Sequence, residues 1–193
     1  MTAPDYRDVL AFWFGEPAQA DYGRARSAWF SKDEAFDVRV RERFRASWDL
    51  AREGRLDAWL GDALPLLAFI VLTDQFPRNM FRGTPRAFAT DGIALAAARI
   101  AVARGHDRML PPVQRWFVYL PFEHAEDIAT QRGSLRLFAG LTGDADSAGT
   151  IDYAQRHYDI VERFGRFPHR NAILGRASSA AEAAFLLQPG SGF

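Results

Sequence analysis

The amino-acid sequence predicts an all-α fold in a single domain. Apolar residues recur at three- and four-residue intervals along most of the chain, and capping residues, Gly or Pro separate these runs. Strand-like alternation of useful length is absent, and so are low-complexity linkers. The length of 193 residues is typical of one domain, which buries about 70% of its unfolded-chain surface and needs no metal or disulfide for stability.

Two amphipathic helices are predicted near the start of the chain. The first carries apolar residues within 9–14 and is stopped by Gly15 and Pro17. The second has one apolar residue at every fourth position, with Asp33 as a suitable N-cap and Gly54 as a suitable end. Its apolar face consists of Phe36, Val40, Phe44 and Trp48.

A buried central helix is predicted over Leu64–Phe76. The longest apolar run, Ala63–Thr73, contains Pro65 and is too short to cross a bilayer. Apolar side chains stand on nearly all sides of this segment, which indicates a helix surrounded by its neighbours.

Five further helices are predicted in the second half of the chain. Pro121 separates two of them, Gly165 ends another, and Ser179 with Glu182 forms a capping box for the last. The predicted segments are an Ala-rich helix from Thr90 or Asp91 to about Arg104, Val113–Tyr119, Phe122 to about Leu141, Ile151–Phe164, and Ser179 to about Leu187.

The composition excludes several kinds of chemistry. The chain has no Cys, which removes thiol nucleophiles, iron–sulfur clusters and Cys-ligated zinc. Only Lys32 is a lysine among the 24 basic residues, and its polar surroundings indicate exposure, which argues against Schiff-base and pyridoxal phosphate chemistry. Phosphate-binding loops, dinucleotide-binding glycine motifs, the nucleophile elbow and the His-Glu-x-x-His motif are also absent. No motif therefore identifies a cofactor.

The charge and the N-terminal segment restrict partners and location. Basic and acidic residues number 24 each, so there is no electrostatic reason to expect a nucleic acid or an anionic membrane as partner. Residues 1–8 lack the basic-then-apolar pattern of a secretory signal. We therefore expect a cytoplasmic protein, and the composition permits a monomer or a homodimer.

Asp74 is the first candidate functional residue. It ends the apolar run at a helix C-terminus, where the macrodipole opposes a carboxylate and burial requires a cationic partner. Arg78 and Arg82 are the local candidates for that partner. The pattern fits a structural Asp–Arg clamp at a chain reversal, and it also fits a functional site.

The stretch Gly165–Asn171 repeats the pattern of the stretch after Asp74. Both contain Phe-Pro followed by Arg-Asn within three residues, and each follows a predicted helix. If the two turns meet in space, their guanidinium groups form an anion pocket and their Asn side chains orient the ligand. The alternative is that each turn only caps the last carbonyls of a helix.

Glu123–Asp127 is predicted to lie just inside the helix after Pro121. The helix dipole favours acidic residues in a first turn, but this does not account for His124. His124 and Asp127 are three residues apart and share a helix face. Together with His169 they have the side chains for a metal site or an oriented general base. Their spacing matches no standard metal-binding pattern, so no metal is predicted.

The remaining histidines and an arginine-rich face receive structural interpretations. His157 lies on the apolar face of its helix and is predicted to be a hydrogen-bonded core residue. His106 is predicted to be an exposed loop residue. The arginines within 39–45 flank an apolar face and are predicted to be solvated rather than to bind phosphate.

Four motifs together are characteristic of one protein family. They are Val9–Gly15, Asp74–Gly83, Leu120–Asp127 and Gly165–Asn171. In these motifs, and essentially from end to end including the tail Pro189-Gly190-Ser191, the chain resembles the bacterial family called domain of unknown function 924. The resemblance implies a tetratricopeptide-like superhelical array of antiparallel helical hairpins, although the usual tetratricopeptide residue cues are absent. The family brings no established activity.

The leading hypothesis is a site for a small anionic molecule at the motif turns, with acid–base catalysis as a further expectation. His124 or His169 would be the acid–base residue, and Asp74 or Asp127 would set its tautomer and pKa. The residues predicted to bind the ligand are Arg78, Asn79, Arg82, Glu123, Arg166, Arg170 and Asn171.

The alternative hypothesis is a protein- or peptide-binding module without catalysis. Stacked helical hairpins form concave grooves that bind extended peptides. Trp29, Phe30 and Trp59 are candidate groove residues, although core packing explains them equally well. A third interpretation is that every polar cluster is structural.

Overall fold

The computed structural model describes residues 4–20 and 22–192. Over these residues the chain is helical without strands, as predicted, and it has one principal hydrophobic core. Residues 1–3 of the segment predicted to lack a secretory signal lie outside the described residues. None of the described helices is both long enough and apolar enough to cross a membrane.

The longer helices define the architecture. They are α1 (Tyr6–Phe14), α2 (Glu34–Arg52), α3 (Ala63–Ile70), α4 (Phe76–Met80), α5 (Asp91–Ala103), α6 (Pro112–Glu123), α7 (Ile128–Ala139), α8 (Ala148–Phe164) and α9 (Ala180–Leu186). A π-helical turn at Val71–Gln75 joins α3 to α4. Short 3₁₀ helices lie at Ser27–Trp29, Asp57–Leu60, Pro85–Phe88, Asp107–Met109, Ala145–Ser147 and Pro168–Arg170.

Local capping signals predicted several helix boundaries correctly. Asp33 caps α2 by accepting hydrogen bonds from the backbone N–H groups of the residues two and three positions later. Gly54 lies just beyond the end of α2 and has a φ of 73°, which favours glycine. Ser179 and Glu182 form the predicted capping box of α9.

The structure corrects the boundary predicted at Pro121. Helix α6 continues through this residue and ends at Glu123, and Asp127 then caps a new helix, α7. A proline inside a helix costs about 3 kcal/mol, but every residue over 116–123 is buried, so tertiary packing offsets this cost. His124 and Asp127 therefore lie at two different helix ends rather than on one helix face.

The central helix is longer than predicted and contains a π turn. Helix α3, the π turn and α4 run without interruption from Ala63 to Met80. Residues 66–77 are all buried, and α1, α2, α5 and α6 pack around them. A π turn carries one extra residue and is frequent at functional sites. Here it contains Asp74, a fully buried carboxylate.

Aromatic side chains fill the core between α1, the central helix and α6. The ring of Trp13 lies within 6.0 Å, centroid to centroid, of four other rings. One of these belongs to Phe117 of α6, which is fully buried and lies 4.8 Å from Trp29. This packing holds α6 against the rest of the molecule and so fixes the position of His124 at its end.

Replacing Phe117 with Ala should therefore destabilise the protein by about 3–5 kcal/mol, because a large buried ring is lost and a cavity remains. Phe30 is 63% exposed, so Phe30→Ala is the matched control and should change stability by no more than about 0.5 kcal/mol. Urea denaturation of both variants measures the difference. Similar losses for the two variants would contradict the described core.

Candidate functional site

Asp74 and His124 form a buried hydrogen-bonded pair at the centre of the polar cluster that contains the predicted site residues Arg78 and Arg170. Asp74 lies in the π turn and is fully buried, while His124 follows the last residue of α6 as its C-cap. The imidazole Nδ1 lies 2.9 Å from Oδ1 of Asp74. The structure thus joins two predicted residues that are 50 positions apart in the sequence.

Asp74 is ionised despite its burial. Burial disfavours the charged form, but Arg78 and His124 outweigh it and lower the pKa of Asp74 to about 2. Arg78 Nη1 lies 3.4 Å from Oδ1 of Asp74 and also donates to its backbone carbonyl. Gln75 Nε2 donates to Oδ2 at 2.5 Å. The predicted partnership of Asp74 with Arg78 is therefore confirmed.

His124 is neutral at neutral pH. Burial and the neighbouring Arg78 charge lower the pKa of His124 below its usual range, although Asp74 acts in the opposite direction. Because an ionised Asp74 only accepts, Nδ1 of the neutral imidazole carries the proton and donates it. The lone pair then lies on Nε2, which can accept a proton from another molecule.

The two Phe-Pro…Arg-Asn stretches meet through Asp91. The turn predicted for the first stretch was wrong, because that stretch forms α4 and continues the central helix. Asp91 lies at the start of α5 and accepts hydrogen bonds from Arg78 Nη1 at 2.9 Å and Nη2 at 3.2 Å. Arg170 Nη1 reaches the same carboxylate at 3.4 Å. The sequence identified Asp91 only as a possible helix cap, because the proximity of α5 to both stretches depends on the tertiary fold.

Arg170 is buried between two aromatic rings. Its guanidinium carbon lies 4.7 Å from the ring centroid of Phe88 and 4.6 Å from that of Phe167. Cation–π contacts of this kind stabilise a desolvated guanidinium. Burial and the Arg78 charge lower the pKa of Arg170 to about 10, so it remains a cation at neutral pH.

A second pair, Glu123 and His157, lies deeper in the molecule. Glu123 Oε1 is 3.1 Å from His157 Nδ1, and both side chains are almost fully buried. Burial and the nearby Asp74 charge raise the pKa of Glu123 well above its ordinary value. Burial and the coulombic effect of His124 lower the pKa of His157 to about 3. His157 is therefore neutral at neutral pH, and burial favours the neutral form of Glu123.

The structural interpretation is correct for His157 and wrong for His106. His157 is a core residue whose Nδ1 lies 2.9 Å from the backbone carbonyl of Tyr153, as predicted. His106 is half-buried, with both ring nitrogens inaccessible to solvent, so its predicted exposure was wrong. It lies beside the 3₁₀ helix Asp107–Met109, which folds the connection between α5 and α6 onto the core.

His169 lies beside Arg170 in the 3₁₀ helix Pro168–Arg170. Its ring centroid is 5.6 Å from that of Phe167. Burial and the Arg170 charge lower the pKa of His169 to about 4. Over residues 4–20 and 22–192, no three His, Asp or Glu side chains are grouped so that they could hold a metal ion. His124, Asp127 and His169 therefore do not form a three-ligand site.

Five of the predicted site residues bind other partners. Arg82 and Asn79 both donate to Asp37 of α2. These bonds attach the end of the central helix to α2, so the two residues serve the fold rather than the polar network. The sequence did not identify Asp37, because it is more than 40 positions away.

The other three of these five residues stabilise helix ends and turns. Arg166 makes two hydrogen bonds to Glu182 of α9, at 2.6 and 2.8 Å. Asn171 donates to Ser178 and accepts from Arg176. Asp127 caps α7 through the backbone N–H of Thr130. Asp127 does not contact His124, because the helix predicted to align them is broken between them.

Glu126 is a structural residue whose role the sequence did not indicate. It accepts hydrogen bonds from the backbone N–H of Phe167 at 2.8 Å and from Arg176 at 2.5 and 2.8 Å. These bonds hold the turn that carries His169 and Arg170 against the connection between α6 and α7. The helix-dipole interpretation of Glu126 was wrong, since it lies outside both helices.

The comparisons with known proteins identify the family. The family model described as "Bacterial protein of unknown function (DUF924)" matches residues 9–190, and the chain belongs to this family. A solved structure, described as a protein of unknown function, ATU0120, from Agrobacterium tumefaciens, is 43% identical. The match covers 94% of this chain and 96% of that one, with a TM-score of 0.84. No curated protein matches the chain.

The raised pKa of Glu123 should make the stability of the protein depend on pH. Because the pKa of Glu123 is raised in the folded state, the folded protein retains a proton on this side chain. In the unfolded chain Glu123 loses that proton above its ordinary pKa of 4.5. Stability should then fall as the pH rises from there, by up to about 1.4 kcal/mol per pH unit. Glu123→Gln removes this titration, so its stability relative to the wild type should increase with pH in urea denaturation from about pH 5 to about pH 8.

Glu182→Gln is the control for this experiment. Hydrogen bonds from Arg166 lower the pKa of Glu182, so its contribution is complete above 4.5 and is lost only in acid. The stability difference between this variant and the wild type should be constant over the same pH range. A constant difference for Glu123→Gln as well would contradict a raised pKa of Glu123.

Proposed function

We propose that this member of the bacterial DUF924 family binds a small anionic molecule and transfers a proton through Nε2 of His124. The observation that carries this proposal is the buried hydrogen bond between His124 Nδ1 and Asp74. This hydrogen bond fixes the tautomer in which Nε2 carries no proton and can act as a base. Nε2 has no hydrogen-bond partner among the residues that the structure describes.

The Asp74–His124 pair has the physical properties that a general base requires. Asp74 is ionised and cannot turn away, because Gln75 and Arg78 hold its carboxylate. It therefore orients the imidazole and stabilises the imidazolium that forms when Nε2 takes a proton. The lowered pKa of His124 keeps the base unprotonated at neutral pH.

The outer part of the network reaches solvent. The side chain of Asp74 is 0% exposed, whereas those of His124, Arg78 and Asp91 are 13%, 21% and 23% exposed. A ligand approaching from solvent thus meets Asp91, the Arg78 guanidinium and the imidazole before the buried carboxylate of Asp74. Arg78 and Arg170 are the guanidinium donors that can hydrogen-bond to an anionic group.

The available side chains favour proton transfer over covalent catalysis. Cysteine is absent from the sequence. The hydroxyls that precede Asp74 and Asp91 in the sequence already donate hydrogen bonds to backbone carbonyls. Thr73 donates to the carbonyl of Phe69, and Thr90 donates to the carbonyl of Thr73. Neither hydroxyl is placed as a nucleophile activated by His124.

A tetratricopeptide-like peptide-binding module is the alternative proposal. Helices α5 to α8 pack in succession, each against the next, which supports a stack of antiparallel hairpins. Of the three aromatic residues predicted for its groove, Trp29 is buried and Trp59 is half-buried, and only Phe30 is largely exposed. One exposed ring gives little support to a binding groove. We therefore favour the small-molecule proposal over the peptide-binding one. We also propose that the protein is cytoplasmic and is a monomer or a homodimer.

An exchange screen in D₂O tests the proposed proton transfer. The wild-type protein is incubated with small carboxylates and phosphate esters, and ¹H NMR follows both turnover and exchange of C–H for deuterium. His124→Gln should slow any reaction that the wild type catalyses by roughly 10²- to 10⁴-fold, the usual contribution of a general base. His106→Gln, which changes a histidine outside the network, should leave the rate unchanged.

Two results would contradict the proposal. One is a reaction that His124→Gln and the wild type catalyse equally well. The other is a panel in which no compound reacts or exchanges with the folded wild-type protein. Thermal melting of each variant shows whether a lost rate reflects lost folding.

A further inference from the structure

Arg170 is a buried cation that the protein compensates incompletely. The residue is 6% exposed, and its one ion pair within the described part of the chain is the 3.4 Å contact of Nη1 with Asp91. Arg78 binds the same carboxylate more closely, at 2.9 Å. A buried guanidinium ordinarily has a full set of hydrogen-bond acceptors.

The Nε atom of Arg170 lacks a hydrogen-bond acceptor among the described residues. It is buried and has no hydrogen-bond partner within the described part of the chain. Nη1, on the other side of the guanidinium, is the atom that contacts Asp91. The uncompensated edge of the group is thus the one formed by Nε and Nη2, whose N–H bonds are parallel. Two parallel N–H bonds match the two oxygens of a carboxylate.

We propose that the anionic group of the ligand is a carboxylate, bound side-on by the Nε–Nη2 edge of Arg170. This inference rests on the proposed function and specifies its substrate class as a carboxylic acid. Phe88 is half-buried and contacts the guanidinium with its ring. An apolar group next to the carboxylate would therefore pack on Phe88.

The charge of the network favours a monoanion over a dianion. Asp74 and Asp91 balance Arg78 and Arg170 before any ligand binds. One further negative charge can be balanced if His124 takes up a proton, whereas a phosphate dianion would leave an excess negative charge in a poorly hydrated site.

Binding of benzoate or another inert carboxylate should therefore be coupled to uptake of a proton from water by His124, whereas a substrate would supply this proton from its own acidic C–H group. The ionisable groups of the surrounding elements are Asp74 and Arg78 of the central helix, Asp91 of α5, Glu123 of α6, Glu126 of the following connection, His157 of α8, and His169 and Arg176 around the last turn. His157 and His169 are neutral near pH 7, burial favours the neutral form of Glu123, and Glu126 is paired with Arg176. His124 is the group left to change its charge.

NMR detection of the Arg170 Nε–H group tests the proposal directly. The probes are benzoate, its uncharged analogue benzamide, and inorganic phosphate, each titrated into ¹⁵N-labelled wild-type protein. Arg170→Lys identifies the signal by its absence. Benzoate should shift the signal in a saturable way, and benzamide and phosphate should not. No shift with benzoate, or equal shifts with benzamide or phosphate, would overturn the proposal.

Two variants distinguish binding by the Nε–Nη2 edge of Arg170 from attraction by its positive charge alone. Arg170→Lys retains the charge but lacks the two parallel donors, so benzoate binding should weaken at least tenfold. Arg166→Lys is the matched control, because Arg166 is already paired with Glu182, and its benzoate affinity should equal that of the wild type. Equal affinity in both variants would overturn the proposal. If Arg170→Lys fails to fold, through-bond correlation from the Arg170 backbone assigns the Nε–H signal, and the wild-type titrations then decide the question.

The pH dependence of benzoate binding separates this proposal from the proposed function. Benzoate stays ionised between about pH 6 and about pH 8, so its affinity should fall with rising pH, by up to about tenfold per unit, only if His124 takes up a proton. His124→Gln should retain benzoate binding without this dependence. Specific benzoate binding at Arg170 that does not vary with pH would support the carboxylate site and contradict the proton-accepting role of His124.

Discussion

The structure depends on one costly arrangement, the burial of an ionised carboxylate in the central helix. Asp74 has no access to solvent, so its charge must be balanced by neighbouring groups. Arg78 and His124 provide this balance. Arg78 in turn binds Asp91, and Asp91 reaches Arg170 on the last turn. A single buried charge thereby connects the central helix, α5, α6 and the segment after α8.

Around Asp74 the ionisable groups separate into two layers. Glu123 and His157 lie in the interior, where burial disfavours their charged forms. Asp74, Arg78, Asp91 and Arg170 form the charged layer, parts of which reach solvent. His124 touches the charged layer and is neutral itself. Groups with such divergent pKa values are typical of acid–base sites, and for this reason we assign proton transfer to His124.

Short-range sequence signals predicted the helices, the caps of α2 and α9, and the pairing of Asp74 with Arg78 one helical turn later. They failed where tertiary packing decides the structure. Burial of residues 116–123 allows Pro121 to lie inside α6. The helix break therefore lies after Glu123 rather than at Pro121, and it separates His124 from Asp127. Contacts between distant segments, such as Glu126 with Arg176 and Arg82 with Asp37, have no local sequence signal.

The protonation state of the His124 ring tests the central claim most directly. In ¹⁵N-labelled protein at neutral pH, the two ring nitrogens of His124 can be distinguished by their chemical shifts and their couplings to protons. An ionised Asp74 requires a proton on Nδ1, and the lowered pKa of His124 leaves none on Nε2. Asp74→Asn should abolish this preference. A proton on Nε2, or on both nitrogens, in the wild-type protein would contradict the account.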